Sequence, residues 1–199
     1  MLHANRVVIT MPLGVLQAGS LRFDPEPRGI LDAAHALAFG DVYRLTLRFD
    51  RAFWQDNPEF AGAGFIFSEE PLFPTWWTTV PVETAVITGW SAGPKADPLR
   101  GKTRAEIVAA ALASLGKIMH APLGRLENAW FHDWEADPFS CGAYSYVPAG
   151  ALAARRELAG PVEDTLYFAG EATDLIGYGG TVHGAIASGK RVAAQILDA

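Results

Sequence analysis

The sequence predicts an α+β protein, a mixed and largely antiparallel sheet with flanking helices, and three observations carry that expectation. Strand-like and helix-like segments alternate irregularly, without the repeated strand-helix-strand order of a complete parallel doubly wound sheet. The middle of the chain is rich in Gly, Pro and aromatic residues and holds short strand candidates in close succession, which reads as an antiparallel meander. The last stretch, a short apolar strand, a glycine-rich turn and a long helix, looks like an appendage to that body. Its 199 residues predict one large domain or two small ones. Hydrophobic residues make up 50% and charged residues 19%, enough apolar surface to bury a core and too little charge for an intrinsically disordered chain.

Residues 7–10, Val-Val-Ile-Thr, form a β-branched run closed by Met11-Pro12-Leu13-Gly14, a buried strand that leaves through a turn. A strand so close to Met1 needs neighbours, so the chain is expected to be a fragment. Residues 25–37 place Ile30, Ala33, Ala34 and Leu37 at helical spacing, and Gly40 stops the helix. Residues 41–49 alternate: Tyr43, Leu45, Leu47 and Phe49 point one way, while Val42, Arg44, Thr46 and Arg48 point the other. Strands of the meander are expected at residues 64–67, 76–80 and 84–90. Thr103-Arg104-Ala105-Glu106 is a capping box, in which the Thr side chain and the Glu reach back to orphan backbone donors, and it opens a helix to about Met119. A strand follows at 126–134, another at 165–168, and a helix at 181–197. No repeat or low-complexity segment is present.

Sixteen Lys and Arg against 22 Asp and Glu give a net charge of -6, which disfavours a phosphate-backbone partner, so no nucleic acid is expected. A single cysteine, Cys141, cannot form an internal disulfide, and no Cys/His cluster has zinc spacing, so no metal is expected. The opening MLHANRVVITMP lacks the apolar stretch of a signal peptide, and no run approaches a membrane span, so the expectation is a cytoplasmic protein without a membrane partner.

The chemistry concentrates in Tyr167-Phe168-Ala169-Gly170-Glu171-Ala172-Thr173 and in Gly177-Tyr178-Gly179-Gly180-Thr181-Val182-His183-Gly184-Ala185. A strand end of small residues, followed by a helix start stripped of side chains, brings backbone donors against an anionic or electron-rich ligand. For a flavin, where hydride arrival puts negative charge on the pyrimidine side, a helix start supplies a preorganised dipole. The plainer alternative, glycines that only cap a helix packed closely on a strand, fits the same pattern.

Five blocks in this order resemble the flavin-containing amine oxidases, the family of monoamine oxidases, polyamine oxidases and flavin-dependent histone demethylases. They are residues 8–16 (VITMPLGVL), 49–54 (FDRAFW), 134–138 (WEADP), 142–146 (GAYSY) and the FAGEAT…GGTVHGA ending. The resemblance covers nearly the whole chain but only the C-terminal part of the family, which begins with a GxGxxG unit for the FAD pyrophosphate. Gly62-Ala63-Gly64-Phe65-Ile66-Phe67 has two glycines, Phe67 in place of a third and no helix behind it, so it is rejected as such a unit. The resemblance therefore implies three parts. Residues 1–15 link the FAD domain to the substrate domain, 16–160 form the substrate-binding domain, and 161–199 are the closing strand and helix of a Rossmann-like FAD-binding domain. The missing segment is expected upstream or in a separate chain.

Carried over residue by residue, Gly170 and Glu171 fall on the Gly-Glu that contacts the ribityl and phosphate region of FAD. Gly180, Thr181, Val182 and Ala185 fall at the helix entry that meets the flavin ring, Val182 through its backbone N-H. Tyr144 falls on the tyrosine that flanks the substrate amine. Thr181 occupies the position of a second cage tyrosine, as in the histone demethylases, and is also assigned to substrate. Ala143 stands where monoamine oxidases attach FAD through cysteine, so FAD is expected to be non-covalent. Arg44 stands where the family commonly has a lysine that holds a water against the flavin; arginine keeps the charge but cannot act as a base. Arg44 and Tyr144 are thus the candidate catalytic residues. Trp76 and Trp77 lie near the substrate funnel; adjacent strand residues face opposite ways, and Trp76 is assigned to the cavity.

The resemblance implies an FAD-dependent amine oxidase: hydride passes from an amine C-H to flavin, an imine forms, and O2 reoxidises the flavin with release of H2O2. The expected partners are a small-molecule amine and O2. Two alternatives stand beside it. One is a flavin desaturase or protoporphyrinogen-oxidase-like enzyme, which Arg44 in place of lysine favours. The other is a truncated or split chain that is not catalytic as given.

Overall fold

The computed structural model describes residues 2–198. In chain order its elements are β1 (Val7–Ile9), α1 (Leu13–Gln17), α2 (Arg28–Ala36), β2 (Ala38–Gly40), β3 (Val42–Phe49), β4 (Phe65–Phe67), β5 (Thr75–Thr78), β6 (Val86–Ala92), α3 (Arg104–Met119), β7 (Leu126–Phe131), β8 (Tyr144–Tyr146), α4 (Leu152–Leu158), β9 (Leu166–Phe168) and α5 (Val182–Asp198). They divide into two compact units, the first drawn from residues up to Gly40 and from Trp134 onward, the second from Asp41–Asp133. No described helix is long and apolar enough to cross a membrane.

In the first unit, β1 and β9 pair in parallel, Val7 with Leu166 and Ile9 with Phe168. Ile9 and Phe168 join Leu13, Leu16, Ile30, Ala34 and Leu158 in one buried cluster that binds α1, α2 and α4 to the pair. Helix α2 is shorter at both ends than its hydrophobic spacing predicts. It starts only after Pro27, and its last turn is closed by Gln17, whose side-chain amide donates to the carbonyls of Ala34 and Leu37 at 2.9 Å each. Leu37 is already extended, so residues 38–40 become a strand that pairs antiparallel with β8 instead of the helix end expected there. Helix α1 stands where a turn was expected. It contains Gly14, at which an added Cβ would lie 2.5 Å from the carbonyl oxygen of Cys141 and 2.8 Å from the Phe39 ring. A distant contact, not local propensity, makes this position glycine.

The second unit is a five-stranded antiparallel sheet in the order β4-β5-β6-β3-β7, with the expected meander forming β4, β5 and β6. Tyr43, Leu45, Leu47 and Phe49 point from β3 into a core completed by Ile107, Ala111 and Leu115 of α3. The capping box is formed: the Thr103 hydroxyl accepts from the Glu106 N-H, and Glu106 accepts from the Thr103 N-H at 2.8 Å. The Thr103 hydroxyl, which donates to the Glu106 carboxylate at 2.7 Å, and the Thr103 N-H hold that carboxyl below its ordinary range. Strand β7 ends at Phe131, three residues before its predicted end.

The core of this unit is keyed on one large-to-small pairing. Trp76 is fully buried, lies opposite Gly89 in the β5-β6 register, and donates its indole N-H to the Phe73 carbonyl at 2.9 Å. An added Cβ on Gly89 would sit 2.7 Å from two atoms of that indole. Gly89→Ala is therefore expected to cost about 1–3 kcal/mol through overpacking, and urea unfolding checks it.

Candidate functional site

Parallel strands leave their carboxyl ends side by side, and in α/β arrangements that edge is where ligands settle. In the first unit the carboxyl ends of β1 and β9 open on a cavity of about 250 Å³, walled by Ile9, Met11, Phe39, Ala143, Phe168 and Ala185, with Gly170 and Glu171 at its border. The walls are apolar, and small residues stand at the positions closest to the strand ends. Gly170 turns the chain away from β9 at φ 126°, a conformation side chains rarely adopt, and its N-H donates to the Ser188 hydroxyl of α5 at 2.8 Å. The Ala169 N-H donates to the Ile9 carbonyl at 2.9 Å and extends the parallel pairing to the cavity floor.

The glycine-rich segment beyond β9 is held by side chains that bind its backbone. Glu171 accepts three hydrogen bonds: from the Ser145 N-H at 2.9 Å, from the Ser145 hydroxyl at 2.7 Å and from the Gly180 N-H at 2.6 Å. Asp174, almost wholly buried, accepts from the Tyr178 N-H at 2.6 Å. Thr181 caps α5: its hydroxyl accepts from the Gly184 N-H at 3.2 Å and donates to the Tyr178 carbonyl at 2.7 Å. Arg191 of α5 ties the helix back to β9, donating to the carbonyls of Ala159 at 2.6 Å and Phe168 at 2.8 Å and to the Thr173 hydroxyl at 3.2 Å. Burial lowers the pKa of its guanidinium from the ordinary arginine range.

The predicted site residues of the first unit divide here: three border the cavity, and four, Tyr144, Gly180, Thr181 and Val182, lie outside its lining. Gly170, Glu171 and Ala185 border the cavity. Val182 is the first residue of α5, so its N-H is one of the donors a helix start leaves without an intrahelical acceptor. Tyr144 is half-buried on β8, with its ring against Gly180, where an added Cβ would lie 3.4 Å away. Burial pushes the Tyr144 phenol above its ordinary range, so it is neutral at physiological pH. Ala143 lines the cavity, whereas the Cys141 thiol is directed to the Pro138 carbonyl, 3.7 Å away. The Thr181 hydroxyl is committed to the helix cap on both its donor and acceptor sides.

The remaining two predicted residues belong to the second unit. Arg44 is exposed on the sheet face opposite α3, its guanidinium 5.8 Å from the Trp77 ring centroid. The two tryptophans divide in the opposite sense to the expectation. Trp76 is core, because its position in β5 shares the phase of Gly89 and the buried face; Trp77 lies on the Arg44 face, 6.0 Å from Trp90 and 6.1 Å from Phe65. Trp76 is therefore not a cavity residue, and Trp77 is the half-buried member of the pair.

Sequence reasoning missed Ser145, Arg155, Asp174, Ser188 and Arg191. Ser145 lies in the GAYSY block, and its place beside Tyr144 is its local signal; Asp174 binds the Tyr178 N-H four residues on, whereas Arg155 reaches Ser145, Ser188 reaches Gly170 and Arg191 reaches Phe168 at separations of 10, 18 and 23 residues.

The model of the family described as flavin containing amine oxidoreductase matches residues 2–197. The chain belongs to that family. It is 33% identical over 206 residues to lysine-specific histone demethylase 1 homolog 3 of Arabidopsis thaliana, covering 98% of this chain and 12% of the relative. It is 34% identical over 213 residues to lysine-specific histone demethylase 1 homolog 1 of Oryza sativa subsp. japonica, covering 99% and 24%. Putrescine oxidase bound to putrescine superposes with a TM-score of 0.82 at 22% identity, over 98% of this chain and 43% of that one, a likeness of fold. Cyclohexylamine oxidase from Brevibacterium oxydans superposes at 0.77 with 25% identity, over 99% and 43%. The flavin amine oxidoreductase chain described here thus spans at most about a quarter of these curated relatives and under half of these solved ones.

Family membership implies a flavin, and the first unit fits part of one. A cavity of about 250 Å³ is below the roughly 300–1,000 Å³ of a drug-sized site, room for part of a ring system and not for a whole dinucleotide. The apolar walls suit the faces of such a ring, and the start of α5 suits its electron-rich edge.

Replacing Glu171 by Gln would point an amide donor at the donors of Ser145 and Gly180. Glu171→Gln is expected to lose about 2–3 kcal/mol of stability in urea unfolding, the cost of donors left without acceptors.

Proposed function

We propose that this chain forms the flavin-ring-facing and amine-facing part of an FAD-dependent amine oxidase. What carries this reading is the apolar cavity at the carboxyl ends of β1 and β9, bordered by Glu171 and the start of α5. Bound there, the flavin supplies acceptance of hydride from the amine C-H and reoxidation by O2, with an imine and H2O2 as products. The chain's own residues position and polarise. The Val182 N-H and the α5 dipole favour the developing negative charge at the ring edge. Tyr144, neutral and half-buried, offers an aromatic wall that guides an apolar carbon and tolerates a cationic nitrogen. Glu171 holds β8 and the glycine turn together through three accepted hydrogen bonds, and the remaining lone pair of its carboxylate is open to a ribityl hydroxyl. With Ala143 in the cavity wall there is no thiol beside the ring, which supports non-covalent FAD. Arg44, a permanent cation, takes no proton-transfer step. In this reading β1, β9 and α5 belong to the nucleotide-binding sheet of the complete enzyme, completed by a GxGxxG segment supplied from elsewhere.

The FAD-loaded protein, mixed without oxygen with primary, secondary and polyamines, is expected to lose its visible flavin absorbance with at least one amine. The absorbance should return on admission of O2, with H2O2 formed. Bleaching by a non-amine hydrogen donor and by no amine would contradict the reading.

A further inference from the structure

Gly179 does not have a left-handed backbone, so conformation alone does not require glycine there. The space beside it is filled by the guanidinium of Arg155: an added Cβ would lie 2.6 Å from its Cζ and 2.7 Å from its Nη2, so a side chain at 179 would displace that head from the turn. Arg155 comes from α4, outside the five blocks that carry the resemblance, and its planar head lies against the backbone of the turn. The same head donates from Nη2 to the Ser145 hydroxyl at 3.1 Å. That hydroxyl donates to Glu171, and Glu171 accepts from the Gly180 N-H. The contacts therefore close a ring, from Arg155 through Ser145 and Glu171 to Gly180, and through Gly179 back to Arg155.

The ring is kept at a cost. Arg155 Nε is buried and has no hydrogen-bond partner among the described residues, a state that native structures seldom tolerate without compensation. A lysine in its place could supply one charge but neither the flat surface against Gly179 nor the forked donors.

We propose that Arg155 is a positioning residue, which locks the turn at residues 177–180 against β8 and thereby fixes Tyr144 and the start of α5 beside the cavity. Gly179 is then the other half of the lock, small because the guanidinium must lie on it. The consequence for cofactor binding rests on the function proposed above; the lock itself does not.

Amide hydrogen exchange on the full chain without cofactor tests the lock. In Arg155→Ala, exchange at Tyr178 and Gly180, the turn amides that donate to Asp174 and Glu171, is expected to rise about tenfold or more, the size of losing one hydrogen bond to a charged group, while β9 keeps its protection. Arg155→Lys should behave like Arg155→Ala. Gly179→Ala alone should also open the turn, but added to Arg155→Ala it should change little, because the clash has gone. Release of the turn also frees the Tyr144 ring, so its phenol should titrate lower in Arg155→Ala, with Tyr144→Phe identifying the signal. Unchanged exchange in Arg155→Ala, uniform loss of protection through β9 and α5, full rescue by lysine, or independent effects of the two substitutions would each overturn the proposal. FAD affinity, read by flavin fluorescence, should fall in Arg155→Ala. Failure of the unsubstituted, complete protein to bind FAD would overturn the functional reading and leave the exchange result standing.

Discussion

A turn built of glycines has many backbone donors and no side chains of its own to anchor it, and this constraint governs the first unit. Its amides must be satisfied by neighbours, and carboxylates reaching back from the 3-10 turn after β9 satisfy two of them. Glu171 takes the Gly180 N-H together with both donors of Ser145, and Asp174 takes the Tyr178 N-H. Each charge-assisted bond is worth about 1.5–3 kcal/mol, so the turn can hold one shape although glycine loses more conformational freedom on folding than any other residue. The shape fixes where α5 starts, which in the proposed function is where the ring edge would lie. In the function proposed above, the carboxylate that holds the turn is also the one that would meet the cofactor.

How much of this was legible in the sequence depended on how local the deciding contact was. The alternation of Tyr43, Leu45, Leu47 and Phe49 and the Thr103-Glu106 box specify β3 and the start of α3 within a few residues, and both stand where expected. Strands β2 and β8 are three residues each and pair Phe39 with Ser145 across more than a hundred positions, so no local period announces them. Helix α1 was hidden for the same reason: Pro12 caps it without a side-chain bond, and Gly14 answers to Phe39 and Cys141.

The site divides along the same line. Gly170, Glu171 and Ala185 were legible because one contiguous motif holds the strand end, the turn and the helix start. Arg155 was not, because its partners are backbone and hydroxyl atoms reached only after folding. The tryptophan pair shows a finer limit. Parity guaranteed that the two indoles would take opposite faces, but the choice was made by Gly89 on the next strand, the position with room for an indole. With Trp76 committed to the core, Trp77 carries Arg44 on its face and continues to Trp90 and Phe65.

The central claim is that the carboxyl ends of β1 and β9 receive the flavin ring. Nuclear magnetic resonance of the isotopically labelled protein, titrated with FAD, tests it most directly. The account predicts that the amides of Gly170, Glu171, Ala143 and Ala185 shift together and saturate with one affinity. Shifts confined to other surfaces, with these four amides unmoved while FAD binds, would contradict it.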